Sequence, residues 1–299
     1  MIARTGTSSM SGFLNVCKPY GWTSHDVVQL VRKLSGTRRV GHSGTLDPAA
    51  TGVLVVAVGK ATRLVDYLGD QDKSYCGDIV LGAATNTDDA EGSVLYARDP
   101  SGILLSDVSA SLSGFLGEIE QLPPQFSAVK LAGQKAYEIA RRGGEAKLTP
   151  RRVTIKGLAV VDWKPPTLSV VVHCSKGTYI RSLARDLGER LGVGAHLGAL
   201  VRLTNGPFDC GDAVGVEELR FAAEFGYLGD MLWPPDLAVA HRPALIVSEQ
   251  HAMDMLGGRR WRASSPTFEG PLRVYSEDGS FLGLAELQEG AWQPKLVLT

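Results

Sequence analysis

Apolar residues recur at helical spacing in two stretches of the chain. The first stretch lies between Ser24, a candidate N-cap, and Gly36, a candidate helix stop. Its apolar positions, which fall on one face, are Val27, Val28, Val31 and Leu34. The range 178–191 repeats the pattern and places Arg181 in its first turn. The spacing therefore predicts one helix over 24–36 and another over 178–191.

Short apolar runs bounded by glycine predict buried strands. In the first two thirds of the chain the predicted strands are Val53–Val58, Lys73–Leu81 and Leu168–Cys174. Near the C-terminus they are Leu272–Tyr275, Phe281–Leu287 and Trp292–Leu298, and a hairpin turn signal at 277–279 separates the first two. Residues 101–120 predict one or two helices, and 126–152 a mobile basic segment around a short helix near 137–142.

The order of these elements predicts an α+β protein of two domains. A proline-bearing stretch at 233–243 indicates a linker. We therefore expect a large mixed α+β domain over 13–240. A flexible leader over 1–12 would precede it, and a small β-rich domain over 241–299 would follow it.

Composition excludes several classes of protein. With 44% hydrophobic and 21% charged residues among 299, the chain matches ordinary globular proteins. Its longest apolar run, 53–58, is far shorter than the roughly 20 residues that cross a bilayer. The four cysteines and six histidines lack metal-ligand or disulfide spacing, so we expect no metal site. The N-terminus has no apolar signal region, and a cytoplasmic location is predicted.

Charge is segregated along the chain although the net charge is only −1. Residues 126–152 carry seven basic and two acidic side chains, whereas 209–256 carry nine acidic and two basic ones. Such segregation can form a face that binds a polyanion, but an unevenly charged solvated surface would give the same pattern.

Asp47 is the first candidate for chemistry. It lies in a loop rich in glycine and hydroxyl groups, Gly41-His42-Ser43-Gly44-Thr45-Leu46-Asp47-Pro48. Glycines let the backbone pass close to a ligand, and an aspartate held ionised by a cation can act as a nucleophile or general base. A turn-forming aspartate is the plainer alternative.

Arg181 is the natural cation for that carboxylate. The positive end of a helix disfavours an arginine in the first turn, so a carboxylate partner would explain its position. A surface arginine facing water is the alternative from local sequence alone. Tyr75 is either a core tyrosine or a platform for base stacking, and Leu200 by itself indicates only core.

Taken together, these segments resemble the TruB family of tRNA pseudouridine synthases. The octet at 41–48 and the K-G-T-Y-I-R segment at 176–181 carry the resemblance most specifically. The segment at 16–24 is similar to the family's K-P-x-G-x-T-S motif and contains Lys18, and 73–75 and 85–92 are similar to later motifs. The resemblance implies a pseudouridine synthase fold, in which helices flank a central mixed or antiparallel sheet, with a small C-terminal PUA-like RNA-binding domain.

The resemblance also implies a reaction and a set of roles. The N-glycosidic bond of uridine 55 in the tRNA T loop is broken, the base turns, and it is rejoined through C5. Asp47 is the implied nucleophile, Arg181 its partner, and Tyr75 a contact and proton acceptor for the flipped uracil. The implied substrate-binding residues are His42, which holds the flipped-out T loop, and Lys18, Asp89, Tyr179 and Leu200. The residues expected on the RNA backbone are Lys130, Arg141, Arg142, Arg151 and Arg152.

Three other functions would account for part of this pattern. A guide-RNA-dependent synthase shares the octet, but the basic insertion at 126–152 favours a stand-alone enzyme. An RNA chaperone would keep the basic surface without needing Asp47. An aspartate-nucleophile hydrolase would want a metal or an activated water. We therefore expect a monomeric enzyme that acts on the T arm of tRNA without a cofactor, a guide RNA or a membrane. Attack by Asp47 at C1′ of the ribose and at C6 of the uracil both remain open.

Overall fold

The computed structural model describes residues 10–127, 129–131, 133–144, 146–262 and 270–298. The predicted leader lies outside the described residues up to position 9. In the described part of the chain the strands are β1 (Gly12–Lys18), β2 (Val40–His42), β3 (Ala50–Val58), β4 (Lys73–Leu81), β5 (Ala83–Thr85), β6 (Val94–Ala97), β7 (Gly117–Gln121), β8 (Lys130–Leu131), β9 (Gln134–Lys135), β10 (Arg151–Lys164), β11 (Thr167–Cys174), β12 (Ala195–Asn205), β13 (Phe208–Asp209), β14 (Ala244–Val247), β15 (Trp261–Arg262), β16 (Leu272–Ser276), β17 (Phe281–Gln288) and β18 (Ala291–Val297).

Seven α-helices accompany these strands in the described ranges. They are α1 (Ser24–Ser35), α2 (Val65–Gly69), α3 (Leu105–Ser113), α4 (Ala136–Arg141), α5 (Ile180–Arg190), α6 (Val216–Glu224) and α7 (Glu249–Leu256). None of these described helices is long and apolar enough to span a bilayer.

A nine-stranded mixed sheet forms the large part of the molecule. Its order is β1-β3-β12-β4-β11-β10-β7, with β2 paired to β3 and β13 to β12. The ladder between β3 and β12 runs parallel, and the other ladders of this sheet run antiparallel. The predicted α+β class with a central mixed sheet is confirmed.

Helix α1 confirms the first predicted helix but corrects its N-cap. The cap is Thr23, whose hydroxyl accepts from the Asp26 amide at 3.1 Å while the Asp26 carboxylate accepts from the Thr23 amide at 2.8 Å. Ser24 is instead buried inside the first turn. Gly36 ends the helix in the left-handed region at φ 66°, as predicted.

Helices α1 and α5 pack their apolar faces into the same core. Helix α5 confirms the second prediction, although it begins at Ile180 after the N-cap Tyr179 rather than at 178. Its fully buried apolar side chains are Leu183, Ala184 and Leu187, which lie on the predicted inner face.

Two parts of the large sheet were mispredicted. The range 101–120 is helical only over α3, because its end contains the edge strand β7, whose mostly exposed Gly117–Gln121 carry little apolar signal. Arg151 and Arg152 do not belong to a mobile segment, since they begin the long strand β10 and pair with Gln121 and Glu120 of β7. Strand β10 is exposed over much of its length, which hides its alternation.

The C-terminal part forms a five-stranded sheet in the order β14-β16-β17-β18-β15. Its three predicted strands match β16, β17 and β18 within two residues. The stretch interpreted as a linker is packed rather than extended, since Trp233 exchanges two backbone hydrogen bonds with Phe13 at 2.8 and 2.9 Å. Ala238 and Val239 then join a buried cluster that also contains Leu284 and Leu296 of the C-terminal sheet.

Candidate active site

A cavity of about 300 Å³ lies where two strands of the large sheet meet a loop and a helix. The loop before β3, the start of β4, the middle of β12 and the N-terminus of α5 all contribute to its wall. Strand β11 explains why α5 arrives there. It runs antiparallel to β4, and its last residue, Cys174, pairs with Lys73 at the start of β4. The helix that follows β11 therefore begins beside the start of β4.

Asp47 and Arg181 form an ion pair at this cavity. Nη2 of Arg181 lies 3.0 Å from Oδ2 of Asp47, and the side chains are 6% and 41% exposed respectively. The alternative of a surface arginine facing water is therefore wrong. Burial raises the pKa of Asp47 above its usual value, whereas the charge of Arg181 opposes that rise.

Arg181 is fixed by more than one partner. Its Nη1 lies 3.4 Å from Oδ2 of Asp89 and donates to the carbonyl of Thr87 at 3.2 Å. Its Nη2 also donates to the carbonyl of Phe126 at 3.0 Å. Asp89 is held in turn by the hydroxyl of Thr87 at 2.5 Å. One guanidinium thus joins two carboxylates, and its planar donor geometry fixes their relative positions.

The loop that carries Asp47 is held by a residue that sequence reasoning assigned elsewhere. The hydroxyl of Ser24 donates to the carbonyl of Leu46 at 3.1 Å and accepts from the amide of Leu46 at 2.8 Å. A buried pair of hydrogen bonds therefore ties α1 to the residue directly before Asp47. Reading Ser24 only as an N-cap missed this contact.

Lys18 lies beneath the same loop rather than facing the cavity. It is fully buried, and its ammonium group donates to the carbonyls of Pro19, Trp22 and Pro48 at 3.0, 2.6 and 3.1 Å. Burial lowers its pKa to about 8. The geometry thus gives Lys18 contacts with the backbone of the loop, whereas a direct substrate contact was expected.

Tyr75 lies opposite Arg202, a residue that the sequence analysis did not single out. The two occupy paired positions on the adjacent antiparallel strands β4 and β12. Both line the cavity, and burial raises the pKa of the Tyr75 phenol. Arg202 is 1% exposed and donates to the carbonyls of Val53 and Gly44 at 2.7 and 3.1 Å. A lone arginine within the apolar run 197–203 was the available signal.

Tyr179 and Leu200 also line the cavity. Gln121 holds Tyr179 by two hydrogen bonds, accepting from its amide at 2.7 Å and donating to its carbonyl at 3.0 Å. Leu200 pairs with Ala50 of β3. His42 is outside the cavity wall, where it is half-buried in β2 and its Nδ1 accepts from the amide of Gly44 at 3.3 Å. Burial lowers its pKa.

The basic segment has local structure in the residues that are described. Strands β8 and β9 pair, α4 follows, and Val129, Ala136 and Ala146 pack with Tyr179. Lys130 lies in β8 and Arg141 in α4, but their side chains are outside the described part. Arg142 and Arg151 are exposed. Arg152 is 74% exposed and lies 3.6 Å from Glu118.

In the residues that the structure describes, no group of three or more histidine, cysteine, aspartate or glutamate side chains could hold a metal ion.

The fold is shared with chains of two solved complexes. A crystal structure of a Cbf5-Nop10-Gar1 complex matches with a TM-score of 0.75 at 25% identity, over 97% of this chain and 85% of that one. An H/ACA RNP bound to a substrate RNA containing 2'-deoxyuridine matches with a TM-score of 0.74 at 23% identity, over 97% and 86%.

Family models match most of the chain. They are described as TruB family pseudouridylate synthase (N terminal domain) over 32–180, tRNA pseudouridylate synthase B C-terminal domain over 181–240, and Pseudouridine synthase II TruB, C-terminal over 243–298. Fold and site together therefore define a pseudouridine synthase, which is an isomerase.

Curated relatives narrow the class to a family. Proteins named tRNA pseudouridine synthase B match from Thermobifida fusca at 47% identity and from Trichormus variabilis at 41%, each over 96% of this chain and 98% of the relative. The chain belongs to the TruB family of pseudouridylate synthases.

Proposed function

We propose that this protein converts uridine 55 in the T loop of tRNA to pseudouridine, with Asp47 as the nucleophile. The single observation that carries the proposal is the Asp47–Arg181 ion pair at the wall of the cavity. Near-full-length identity of 47% and 41% to proteins named tRNA pseudouridine synthase B supports tRNA as the substrate.

The reaction is an isomerisation and needs no oxidant. Attack of the Asp47 carboxylate on C1′ would form a C–O bond as the C1′–N1 bond breaks, and the electron pair would pass to the uracil. Attack on C6 would instead form a C6–O bond and place negative charge on C5 and O4, and the C1′–N1 bond would then break with its electron pair passing to N1. In either case the base turns, C5 bonds to C1′, the carboxylate is released, and the proton on C5 is exchanged for one on N1.

Tyr75 is the proposed proton acceptor for C5, because it lines the cavity beside Asp47 and carries the phenol of lowest exposure there. Tyr179 and Leu200 would contact the faces of the flipped base, since both line the same wall. Extruding a base costs a few kcal/mol of stacking, and an aromatic ring and a leucine can replace part of it. His42, outside the cavity, would hold the vacated T loop.

Basic side chains near α4 and β10 would bind the phosphates of the T arm. Arg142, Arg151 and Arg152 are exposed there, and Lys130 and Arg141 belong to the same segment. Phosphate contacts of this kind supply affinity that is independent of sequence. The C-terminal sheet is proposed as a PUA-like domain that adds contacts to the same tRNA.

We propose that the chain acts alone, as a monomer without a cofactor or guide RNA. The structural relatives include a complex with the further proteins Nop10 and Gar1, at 25% identity. The relatives named tRNA pseudouridine synthase B are markedly more similar and match from end to end. The basic segment at 126–152 offers a surface by which tRNA could be held without a guide.

The test uses the purified chain and an unmodified tRNA transcript, with no other protein or RNA. Pseudouridine is mapped by carbodiimide treatment and primer extension. A stop one nucleotide before position 55, absent with an Asp47→Asn variant and with a transcript carrying cytidine at that position, is expected. Modification elsewhere would refute the site assignment. Dependence on an added guide RNA would refute the stand-alone proposal.

A further inference from the structure

Buried cations at the cavity outnumber their counter-charges. Arg181 has Asp47 and Asp89 within ion-pair distance. Arg202 and Lys73, which are 1% and 7% exposed, have no carboxylate within 4 Å among the ion pairs of the described residues. Burying a charge without a counter-charge costs several kcal/mol, so a functional reason is needed.

Backbone carbonyls accept hydrogen bonds from both cations, and Arg202 also hydrogen-bonds to the neutral phenol of Tyr75. Arg202 donates to Val53 and Gly44, and the ammonium group of Lys73 donates to Gly69 and Gln71 at 2.9 and 2.6 Å. These contacts leave Lys73 one of its three donors for a ligand. Carbonyl dipoles orient a cation without neutralising it. The positive charge therefore remains available to the cavity.

The two cations lie close together on the side of the cavity formed by the sheet. A side-chain carbon placed on Gly44 would lie 3.5 Å from Nη1 of Arg202 and 3.9 Å from Cε of Lys73. Gly44 therefore lets the loop of Asp47 pass directly over both. Lys73, Arg202 and Asp47 all line the one cavity, so a base that reaches Asp47 also reaches this pair.

Neutral uracil brings no charge to compensate Lys73 and Arg202, but the base becomes negatively charged during the reaction. Breaking C1′–N1 delocalises an electron pair over N1, O2 and O4, and addition at C6 places it on C5 and O4. We propose that Lys73 and Arg202 stabilise the negative charge that develops on the uracil ring during the reaction. This inference rests on the proposed function. It holds for both points of attack by Asp47, because both put charge on a carbonyl oxygen.

A phosphate of the flipped nucleotide is the other anion that could lie near these cations. A phosphate is charged before the reaction starts, so its contacts would strengthen binding as well as catalysis. Arg202 and Lys73 are nearly buried and lie on the sheet side, where a fully charged phosphate would lose most of its hydration. The base is neutral when it binds and becomes charged only during the reaction, so its binding does not carry this loss of hydration.

The principal variant is Lys73→Met, because Arg202 also joins the carbonyl of Gly44 in the loop to that of Val53 in β3, and its loss could unfold the site. The single-turnover rate on unmodified tRNA should fall about 100-fold, the size expected for one lost electrostatic donor, while the dissociation constant for tRNA changes less than about threefold. Lys73→Arg should recover at least about a tenth of the wild-type rate. Lys164→Met, 82% exposed at the far end of the β10–β11 hairpin, is the control and should keep the wild-type rate.

A second substrate separates charge stabilisation from a structural role. Transcripts with 5-fluorouridine at the target position carry an electron-withdrawing group that stabilises negative charge on the ring without the protein's help. Nucleoside analysis measures the rate at which the C1′–N1 bond is cleaved in each substrate. The fold by which Lys73→Met lowers this rate should be at least about five times smaller with 5-fluorouridine than with uridine. Equal penalties on both substrates would overturn the inference, and so would a weakened tRNA affinity with an unchanged rate, which would indicate a phosphate contact. If wild-type protein leaves uridine 55 unchanged, the proposed function itself fails, and this inference fails with it.

Discussion

The carboxylate of Asp47 and the guanidinium of Arg181 lie 3.0 Å apart, although one belongs to a loop before β3 and the other to the first turn of α5. The sheet order brings them together, because β3 and β11, which adjoin these two segments, are separated only by β12 and β4. The pair can both orient the carboxylate and keep it ionised.

Asp47→Asn should abolish pseudouridine formation while tRNA binding survives. The substitution keeps the size and polarity of the side chain but removes its nucleophilic charge. Single-turnover assays and filter binding would measure the two effects. Turnover by a variant shown by mass spectrometry to be free of deamidated aspartate would exclude the nucleophile assignment.

Arg181 variants should separate the geometry of the ion pair from its charge. Arg181→Lys keeps the cation but loses the planar donors that reach Asp47 and Asp89, so the rate should fall at every pH. Arg181→Met removes the charge that opposes the raised pKa of Asp47, so that pKa rises further. The reaction needs the ionised carboxylate. The pH below which the single-turnover rate falls should therefore move upward in the Met variant alone.

The direction of this pKa shift is checked by measuring the single-turnover rate against pH for wild type and both variants. Raising the pH should partly restore Arg181→Met and do little for Arg181→Lys. Identical pH profiles for the three proteins would mean that Arg181 does not control the ionisation of Asp47.

Alanine at Arg142, Arg151 and Arg152 should weaken tRNA binding and flatten its salt dependence. Each lost phosphate contact lowers the slope of log K against log salt by about 1. Arg152 has only an exposed pairing with Glu118, so little folding stability should be lost with it. Arg220→Ala, an arginine in the acidic stretch of α6, is the matched control. A slope equal to that of the control would mean that the segment does not bind RNA.

Ser24→Ala should slow the reaction more than its loss of stability explains. It removes the two hydrogen bonds to Leu46 that hold the loop of Asp47, at a cost of about 1–3 kcal/mol. Thr23→Ala is a matched control, because it removes the neighbouring N-cap and costs about 1 kcal/mol without touching that loop. The measurements are the free energy of unfolding and the single-turnover rate well below the melting temperature. Equal rates for the two variants would contradict the positioning role of Ser24.

Lys73 should make stability depend on pH in a predictable direction. Burial lowers its pKa from 10.5 to about 8. Below pH 8 the folded protein bears the full cost of the buried charge. Between pH 8 and 10.5 the folded state releases the proton while the unfolded state keeps it, so the cost disappears.

The free energy of unfolding of Lys73→Met relative to wild type should therefore fall by about 2 kcal/mol between pH 7 and pH 10. Urea unfolding at a series of pH values measures the difference, and Lys33→Met, at an exposed position of α1, is the control. A difference that stays constant over this range would show that Lys73 is not charged at the cost that its burial implies.

Local sequence was sufficient for the elements with strong periodicity. Helix α1 and strand β4 were predicted with bounds within one residue, because each has a full apolar face and a clear end. Strand β1 was missed although it is almost wholly buried. Strands β7, β10 and β12 were also missed, and these three are exposed or interrupted over part of their length, so no continuous apolar pattern marks them.

The sequence by itself determined the loop of Asp47, the helix of Arg181 and the family to which both belong, because these are written in contiguous residues. Only the tertiary structure decided that Arg202 faces Tyr75, that Ser24 holds Leu46, and that Lys73 lies under Gly44. The first of these contacts depends on the order and register of β4 and β12, and the others on how α1 and β4 pack beneath the loop. Such contacts join residues that are distant in sequence and form only when the whole core is buried. The local sequence around either residue therefore does not predict them.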